Sequence, residues 1–485
     1  MAQELLYKGG MNNRAKPRGI SAEEWAATPV AVQELVVSLL ATVEQLQKRI
    51  ADLEELLNKT SQNSSKPPSS DPLNAPSRPK RTRSGRQRGG QKGHKGHGRS
   101  LKPAEQVDHI VEVRPLSCAR CGVLLLGEGP KPLRHQVTEL PRIKPKVTEY
   151  RRHTVRCICC GAHTQADWPS DMPKGSFGPR LQATVGYLTG RIGTSQRDTT
   201  EMMEILFHTA IALGSIPALE QRVSTALRKP VEGVQTYVQK QAVVNIDETG
   251  WHEKTKRIWL WVVATALVSV FRLLPSRGSD SVEKMLGKTF KGIAGSDRWT
   301  AYNSLDVKQR QLCWAHLKRD FQALLDRGVE SKPIGGGLLK KVGLIFKSWY
   351  RLRDGILSRE EFQLKMQPIQ RRVGQLLREG AKVSHDKTRR TCQNILKLED
   401  ALWTFVWVEG VEPTNNAAER PLRRAVLWRR RSFGTQSKAG SRFVERVLTT
   451  VTTSRQQERD VLDYLTHACA ASIRGDQSPS LLPTT

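Results

Sequence analysis

Eight apolar residues, Val32, Val36, Leu39, Val43, Leu46, Ile50, Leu53 and Leu57, recur at spacings of 4, 3, 4, 3, 4, 3 and 4 with charged residues between them. Only a helix puts that series on one stripe, and a strict 4-3 alternation is the seam of a coiled coil of about four heptads. A helix packed on the domain behind it is the alternative. The unbroken alternation favours self-association, so residues 1–59 are expected to form an N-terminal helix that pairs two chains into a homodimer.

From Thr60 the composition changes to SQNSSKPPSSDP, which is too poor in apolar residues to fold alone. Lys66 to Lys102 then holds eleven Lys or Arg against one acid, Asp71. Arg81, Arg83, Arg86, Arg88, Lys92 and Lys95 in this glycine-punctuated stretch are expected to neutralise phosphates without reading sequence. A merely solvated tail is the bland alternative. The whole chain points the same way: 78 Lys and Arg against 47 Asp and Glu in 485 residues leave a net charge of +31. Such a surplus draws polyanions, nucleic acid first and an anionic membrane surface second, and excludes an ordinary metabolic enzyme as the default.

The start, MAQELLYKGG, lacks the charged and apolar regions of a secretory signal. The longest apolar run, Ile258 to Phe271, contains Thr265 and Ser269 and stops at Arg272, too short for a bilayer and better suited to a buried sheet. A cytoplasmic, nucleoid-associated protein with no membrane contact is expected.

Five of the eight cysteines fall between Cys118 and Cys160. They form two knuckles, Cys118-Ala-Arg-Cys121-Gly122 and Cys157-Ile-Cys-Cys160-Gly161, with 35 residues between Cys121 and Cys157. Each knuckle can present two thiolates to one ion, and four sulfurs complete the tetrahedron that zinc accepts, leaving no position for water. Structural Zn2+ on Cys118, Cys121, Cys157 and Cys160 is therefore expected, with VTEYRRHTVRC as a strand leading into the second knuckle. Cys159 is a spare thiol that could replace a neighbour.

Three helical segments follow, RLQATVGYLTGRI, TEMMEILFHTAI and IPALEQRVSTAL, with Gly214 before the last, a weak helix-turn-helix pattern. Strand patterns come next: AVVNID ending at Asp247, the hairpin pair RIWLWVVATA and VSVFRLL, and GIAGSD ending at Asp297. Carboxylates at strand ends can meet over one site, and a third acid from a helix would complete an oxygen cage for a hard cation such as magnesium. Single residues keep duller readings: Asp247 has Glu248 beside it, Asp297 could cap a turn, and Glu419 stands at capping-box spacing from Asn416. The pair Cys313 and His316 has the spacing of half a zinc site without a second half, so helix packing or a supporting role near the active site is expected.

Asp247-Glu248-Thr249-Gly250-Trp251, Ser296-Asp297-Arg298-Trp299-Thr300-Ala301-Tyr302, Cys313-Trp314-Ala315-His316-Leu317-Lys318-Arg319-Asp320-Phe321 and Thr414-Asn415-Asn416-Ala417-Ala418-Glu419-Arg420 resemble the bacterial transposases of the insertion sequence 66 family. The resemblance extends to SQNSSKPPSSDP, to GGQKGHKGH and to both CxxCG knuckles. It departs at Asn245, where the family often has His, and Pro421 follows the third acid closely. It implies a DDE transposase with an RNase H-like core in which Asp247, Asp297 and Glu419 hold Mg2+ or Mn2+. One ion would activate water to cut a phosphodiester, the other would stabilise the leaving oxygen, and the freed 3′-hydroxyl would attack target DNA.

Past Glu419, Arg420, Arg423 and Arg424 share one side of a helix and are expected to contact phosphates beside the cut, a solubilising face being the alternative. Trp251, Trp299 and Trp428 could stack on frayed bases, although a core tryptophan is the commoner outcome. The expected architecture is multidomain α+β: helix or coiled coil over 1–59, disordered basic linker over 60–104 and zinc-ribbon-like domain over 105–172. A helical region over 173–240, a candidate for DNA binding, precedes an RNase H-like α/β core over 241–311 and 412–470, split by a helical insertion over 312–411, with a flexible tail over 471–485. The expected partners are double-stranded DNA, both element ends and target, and small accessory proteins encoded beside the chain. The rival readings are a transposase-derived DNA-binding protein without cleavage activity and, more weakly, a nuclease acting on RNA in hybrids.

Overall fold

The computed structural model describes residues 6–7, 16–17, 19–64, 100–127, 132–173 and 175–483. Arg81, Arg83, Arg86, Arg88, Lys92 and Lys95, with most of the expected linker, lie outside these residues. The chain divides into two compact units, one of residues 1–75, 149–204 and 210–485 and one of residues 76–148 and 205–209.

In the larger unit, α1 (Ala22–Ala27) starts at Ser21 with a reciprocal capping box to Glu24. After it, α2 (Val30–Leu57) is one uninterrupted helix. Its seam residues Val32, Leu39, Val43, Leu46, Ile50, Leu53 and Leu57 are all exposed. Beyond the linker come α3 (Pro179–Tyr187), α4 (Gln196–Phe207), α5 (Ser215–Ala226) and α6 (Arg228–Val238). Seven residues, 208–214, separate α4 from α5, a longer link than the three- or four-residue turn of a helix-turn-helix.

The sheet uses β1 (Val243–Glu253), β2 (Lys256–Ala264), β3 (Ser269–Leu274), β4 (Ile293–Ser296) and β5 (Arg310–Leu312). Their order is β3-β2-β1-β4-β5. The first three are an antiparallel meander, whereas β4 runs parallel to β1 and β5 parallel to β4. The apolar run from Ile258 thus becomes β2 and the start of β3, and most of it is buried. The first strand does not end at Asp247 as expected. It runs on to Glu253 because β2 continues the ladder down to the pair Glu253 and Lys256, closed by a tight turn at Lys254.

A short helix, α7 (Ser279–Leu286), links β3 to β4. After β5 the chain leaves the sheet into α8 (Trp314–Asp326), α9 (Gly328–Arg353), α10 (Arg359–Gly380), α11 (Asp386–Leu396) and α12 (Thr404–Trp407). These helices bury their own core, built on Trp314, Phe321, Leu338, Phe362, Leu377 and Phe405. The insertion returns where it left: Trp314 N donates to Pro413 O at 2.9 Å, and Gln311 reaches across with its side chain to Leu402 O and Phe405 N. The end of α2 leans on this insertion through Glu55, 2.6 Å from Lys387 and 3.5 Å from Arg327.

The chain re-enters the core as α13 (Asn416–Ser432), α14 (Lys438–Gln456) and α15 (Val461–Arg474). Strand β3 is the edge of the sheet, and its outward N–H groups would be unpaired without α14. Ser269, Phe271 and Leu273 donate to Thr453, Thr449 and Glu445. Four helix residues rise about 6 Å, close to the two-residue repeat of a strand at about 6.7 Å, so successive turns of α14 meet alternate strand residues. This explains why Glu445, Thr449 and Thr453 are polar and buried on α14. Thr449→Val, which keeps the shape and removes the acceptor, is expected to destabilise the fold by about 1–3 kcal/mol in chemical unfolding.

Residues 475–483 are held against the fold, unlike the flexible tail expected over 471–485. Leu481 is buried, Arg459 donates to Ser480 O and Leu482 O, and Tyr464 donates to Pro479 O. The segment is polar in sequence, and its anchoring comes from side chains on neighbouring α15 and the turn before it. No helix among the described residues is long and apolar enough to cross a membrane.

Candidate active site

Along β1, Val244, Ile246 and Glu248 are buried in alternation, and Asn245, Asp247 and Thr249 occupy the other row. Strands β1 and β4 pair in parallel up to Asn245 and Gly295. Two residues further along the chain stand Asp247, still within β1, and Asp297, the first residue past β4, so the two acids follow the last paired residues of neighbouring strands. Glu248 is accounted for separately: Tyr302 donates its hydroxyl to one carboxylate oxygen, and Arg277 contacts the other at 2.8 Å. Among the described residues Asp247 has no such cation.

The third acid arrives through the neck of the insertion. Cys313 N donates to Ser296 O at 2.9 Å, Asn415 N donates to the Cys313 sulfur at 3.3 Å, and Asn415 Nδ2 donates to Ile246 O at 2.9 Å. The start of α13 is thereby tied to β1 and to the end of β4. Glu419 lies in the first turn of that helix, where the peptide dipoles favour a carboxylate. The capping-box alternative does not hold. The cap residue is Asn415, whose carbonyl accepts from Ala418 and Glu419, and the Glu419 carboxylate turns instead toward His316, 3.4 Å away. Pro421 neither delays nor shifts the start, because α13 has begun five residues before it.

The electrostatics record the convergence. Burial raises the Asp247 carboxyl well above the usual aspartate range, and Glu248, Asp297 and Glu419 raise it further. Burial also raises Glu248, with Asp297 adding to it and Tyr302 and Arg277 opposing it. Asp297 does cap a turn, accepting from Trp299 N at 2.8 Å, but this occupies one oxygen only. Its loop is held by Arg310, buried, which donates to Asp297 O and Asn303 Oδ1. Arg277 lies between the rings of Trp259 and Trp299, whose indole N–H donates to the Arg277 carbonyl.

Cys313 and His316 were legible as a spaced pair, but their partner was not. One donor atom each from Cys313, His316 and Glu419 lies within 4.8 Å of the others. Burial and then Glu419 push the Cys313 thiol up to about 12, and burial lowers His316, so neither adds charge at neutral pH. Of the tryptophans, Trp251 is buried and stacks on Trp428 at 5.1 Å, a core contact, while Trp299 remains partly exposed.

The two cysteine knuckles fall in different compact units, Cys118 and Cys121 in the smaller and Cys157 and Cys160 in the larger. Each has the same local build. Gly122 N donates to Cys118 O and Gly161 N to Cys157 O, both at 2.9 Å, with the glycines at φ of 75° and 74°. That left-handed conformation is why glycine follows each CxxC. The second knuckle tips a hairpin, Thr154–Arg156 paired with His163–Gln165. In each knuckle backbone N–H groups lower the leading thiol: those of Cys121 and Arg120 for Cys118, and those of Cys160 and Cys159 for Cys157. Arg420, Arg423 and Arg424 are exposed on α13.

The fold and the site thus define a mixed α/β core that carries three converging carboxylates and a helical insertion between the second and third. The model of the family described as Transposase IS66 family matches residues 174–442, more than half of the chain and all three acids, and the chain belongs to that family. Residues 15–100 match a family of unknown function, DUF6444. Two relatives come from Sinorhizobium fredii (strain NBRC 101917 / NGR234). Uncharacterized protein y4hP is 24% identical over 408 residues, 75% of this chain and 72% of the relative. Uncharacterized protein y4qI is 26% identical over 249 residues, 46% of this chain and 45% of the relative, so that match spans less than half of either.

Proposed function

We propose that the protein is a DDE transposase that binds the ends of its mobile element as double-stranded DNA and catalyses strand cleavage and strand transfer. The observation that carries the reading is the convergence of Asp247, Asp297 and Glu419 from β1, the end of β4 and the first turn of α13. The strand order β3-β2-β1-β4-β5, with a three-stranded meander and two parallel strands, supports an RNase H-like core.

The donors suit a hard divalent cation, Mg2+ or Mn2+. They are carboxylates whose repulsion helps raise Asp247, and an oxygen-seeking ion relieves it. A thiophilic ion on Cys313, His316 and Glu419 suits less well, because the Cys313 thiol stays protonated. Bound by the three acids, the divalent ions would supply water activation and charge neutralisation for phosphodiester attack. The chain's own groups do the rest. Asn415 and Cys313 hold α13 so that Glu419 faces the strand acids, Arg310 fixes the Asp297 loop, and Tyr302 and Arg277 occupy Glu248. Exposed Arg420, Arg423 and Arg424 would bind phosphates beside the cut.

Around this core the reading assigns homodimerisation to α2 and structural Zn2+ to Cys118, Cys121, Cys157 and Cys160. It gives phosphate contacts to Arg81, Arg83, Arg86, Arg88, Lys92 and Lys95, and a nucleoid-associated, cytoplasmic setting to the protein. The decisive experiment incubates the chain with magnesium and duplexes that carry the ends of its own element, with companion proteins from that element present. Cleavage and joining that depend on those ends support the reading. Tight binding without cleavage would move the protein to the DNA-binding derivatives.

A further inference from the structure

The turn Leu188–Ile192, wound as a single π-type turn after α3, carries Arg191 close to Arg424 and Arg455. Two glycines let it lie against two helices. A Cβ on Gly190 would stand 2.8 Å from Val447 of α14, and one on Gly193 would stand 2.4 Å from Trp428 of α13. The Trp428 indole N–H donates to Thr189 O at 2.9 Å, and Arg455 of α14 donates to the Tyr187 hydroxyl at 2.7 Å. Arg424 is one helical turn before Trp428, so the same contacts carry Arg424 and Arg455 to Arg191.

Among the described residues none of the three is ion-paired. Burial first, then Arg455 and Arg424, lower the Arg191 guanidinium to about 10, and Tyr187 is the group that opposes this. Glu220 of α5 reaches the same turn at Thr189, where burial raises its carboxyl. Like charges driven together over a half-buried guanidinium describe a place for a bound anion. Arg424 and Arg455 are exposed, so the place is open to solvent and suits a polymer passing over it. Arg424 also follows Glu419 by five residues on α13, a rise of about 7.5 Å along the helix axis, which keeps it on the same element as the third acid.

We propose that Arg191, Arg424 and Arg455 form a phosphate subsite that grips the backbone of bound DNA near the acid cluster. It rests on the DNA-binding reading above and adds Arg191 and Arg455, which lie outside the basic residues singled out from sequence. Binding of a labelled duplex to the full chain is measured across a salt series. Arg424→Gln combined with Arg455→Gln, both at exposed positions, should make the slope of log affinity against log salt shallower by about two, one for each lost phosphate contact. Arg191→Gln should do so by about one, and Arg455→Lys, which keeps the charge, should restore the wild-type slope. Arg351→Gln combined with Arg371→Gln removes the same charge from the insertion and should leave the slope unchanged. An unchanged slope in the Arg424 and Arg455 variant, or an equal change in the insertion variant, overturns the subsite while DNA binding stands. A wild-type chain that binds no duplex at any salt overturns the DNA reading and the subsite together.

Discussion

Asp247→Asn is expected to lower strand cleavage by at least about 10³-fold, about 4 kcal/mol of transition-state stabilisation, while duplex binding stays within a factor of two or so. The size follows from position. Asp247 stands in the middle of β1, just past the residues that pair with β4, and burial, Glu248, Asp297 and Glu419 all raise its carboxyl. Asparagine keeps the shape and removes the charge that a divalent ion needs. A second readout separates this from simple damage to the fold. A carboxyl raised in the folded chain binds its proton more tightly there than when unfolded, so its contribution to stability falls as pH climbs above the ordinary aspartate range. Without divalent ions, the variant should therefore melt above wild type at neutral pH, and the gap should close as pH falls toward 4. Magnesium should raise the melting temperature of wild type and leave the variant almost unmoved. A variant that melts lower at neutral pH, or that cleaves as well as wild type, would remove Asp247 from the site.

How much of this was legible in the sequence depended on whether the signal was local. The helix of α2 announced itself because its seam repeats every seven residues, and β2 and β3 because their apolar run is unbroken. Asp247 lies on β1 and Asp297 directly after β4, in segments with a strand pattern, yet β1 runs six residues past Asp247. The polar stretch Glu248 to Glu253 carries no strand pattern and is held extended by its pairing with β2. The role of the neck was invisible for a different reason. Cys313 and Asn415 meet only because a whole helical domain begins and ends at one point, so the approach of His316 to Glu419 has no trace in spacing. Arg191 was hidden likewise: its neighbours Arg424 and Arg455 sit on two helices far along the chain. The anchored segment after Arg474 reads as a polar end because its partners are side chains of other elements.

The proposed zinc site would do for residues 105–172 what packing does elsewhere. Chelation of zinc, or Cys121→Ser or Cys160→Ser, is expected to leave α3 to α15 folded and to abolish the ordered structure of residues 105–172. Among the described residues the two hydrophobic cores contain none from that stretch. Its own apolar side chains are in water: Val113 is 89% exposed, Leu126 is 90% and Val147 is 88%. A segment that buries so little apolar surface cannot offset its chain entropy, and a structural zinc site contributes about 10–16 kcal/mol in domains of this kind. The knuckles are prepared for it, since backbone N–H groups lower the Cys118 and Cys157 thiols toward the thiolate that zinc binds. One zinc per chain is expected by elemental analysis, lost in either serine variant and kept in Cys159→Ser, because the matched turns hold Cys157 and Cys160 rather than Cys159. Limited proteolysis with trypsin should then cut the variants first within 105–172, which is rich in Lys and Arg, and leave a resistant core with an unchanged melting transition. Equal resistance of 105–172 with and without chelator would mean that some other contact orders it and that the cysteines are not the ligands.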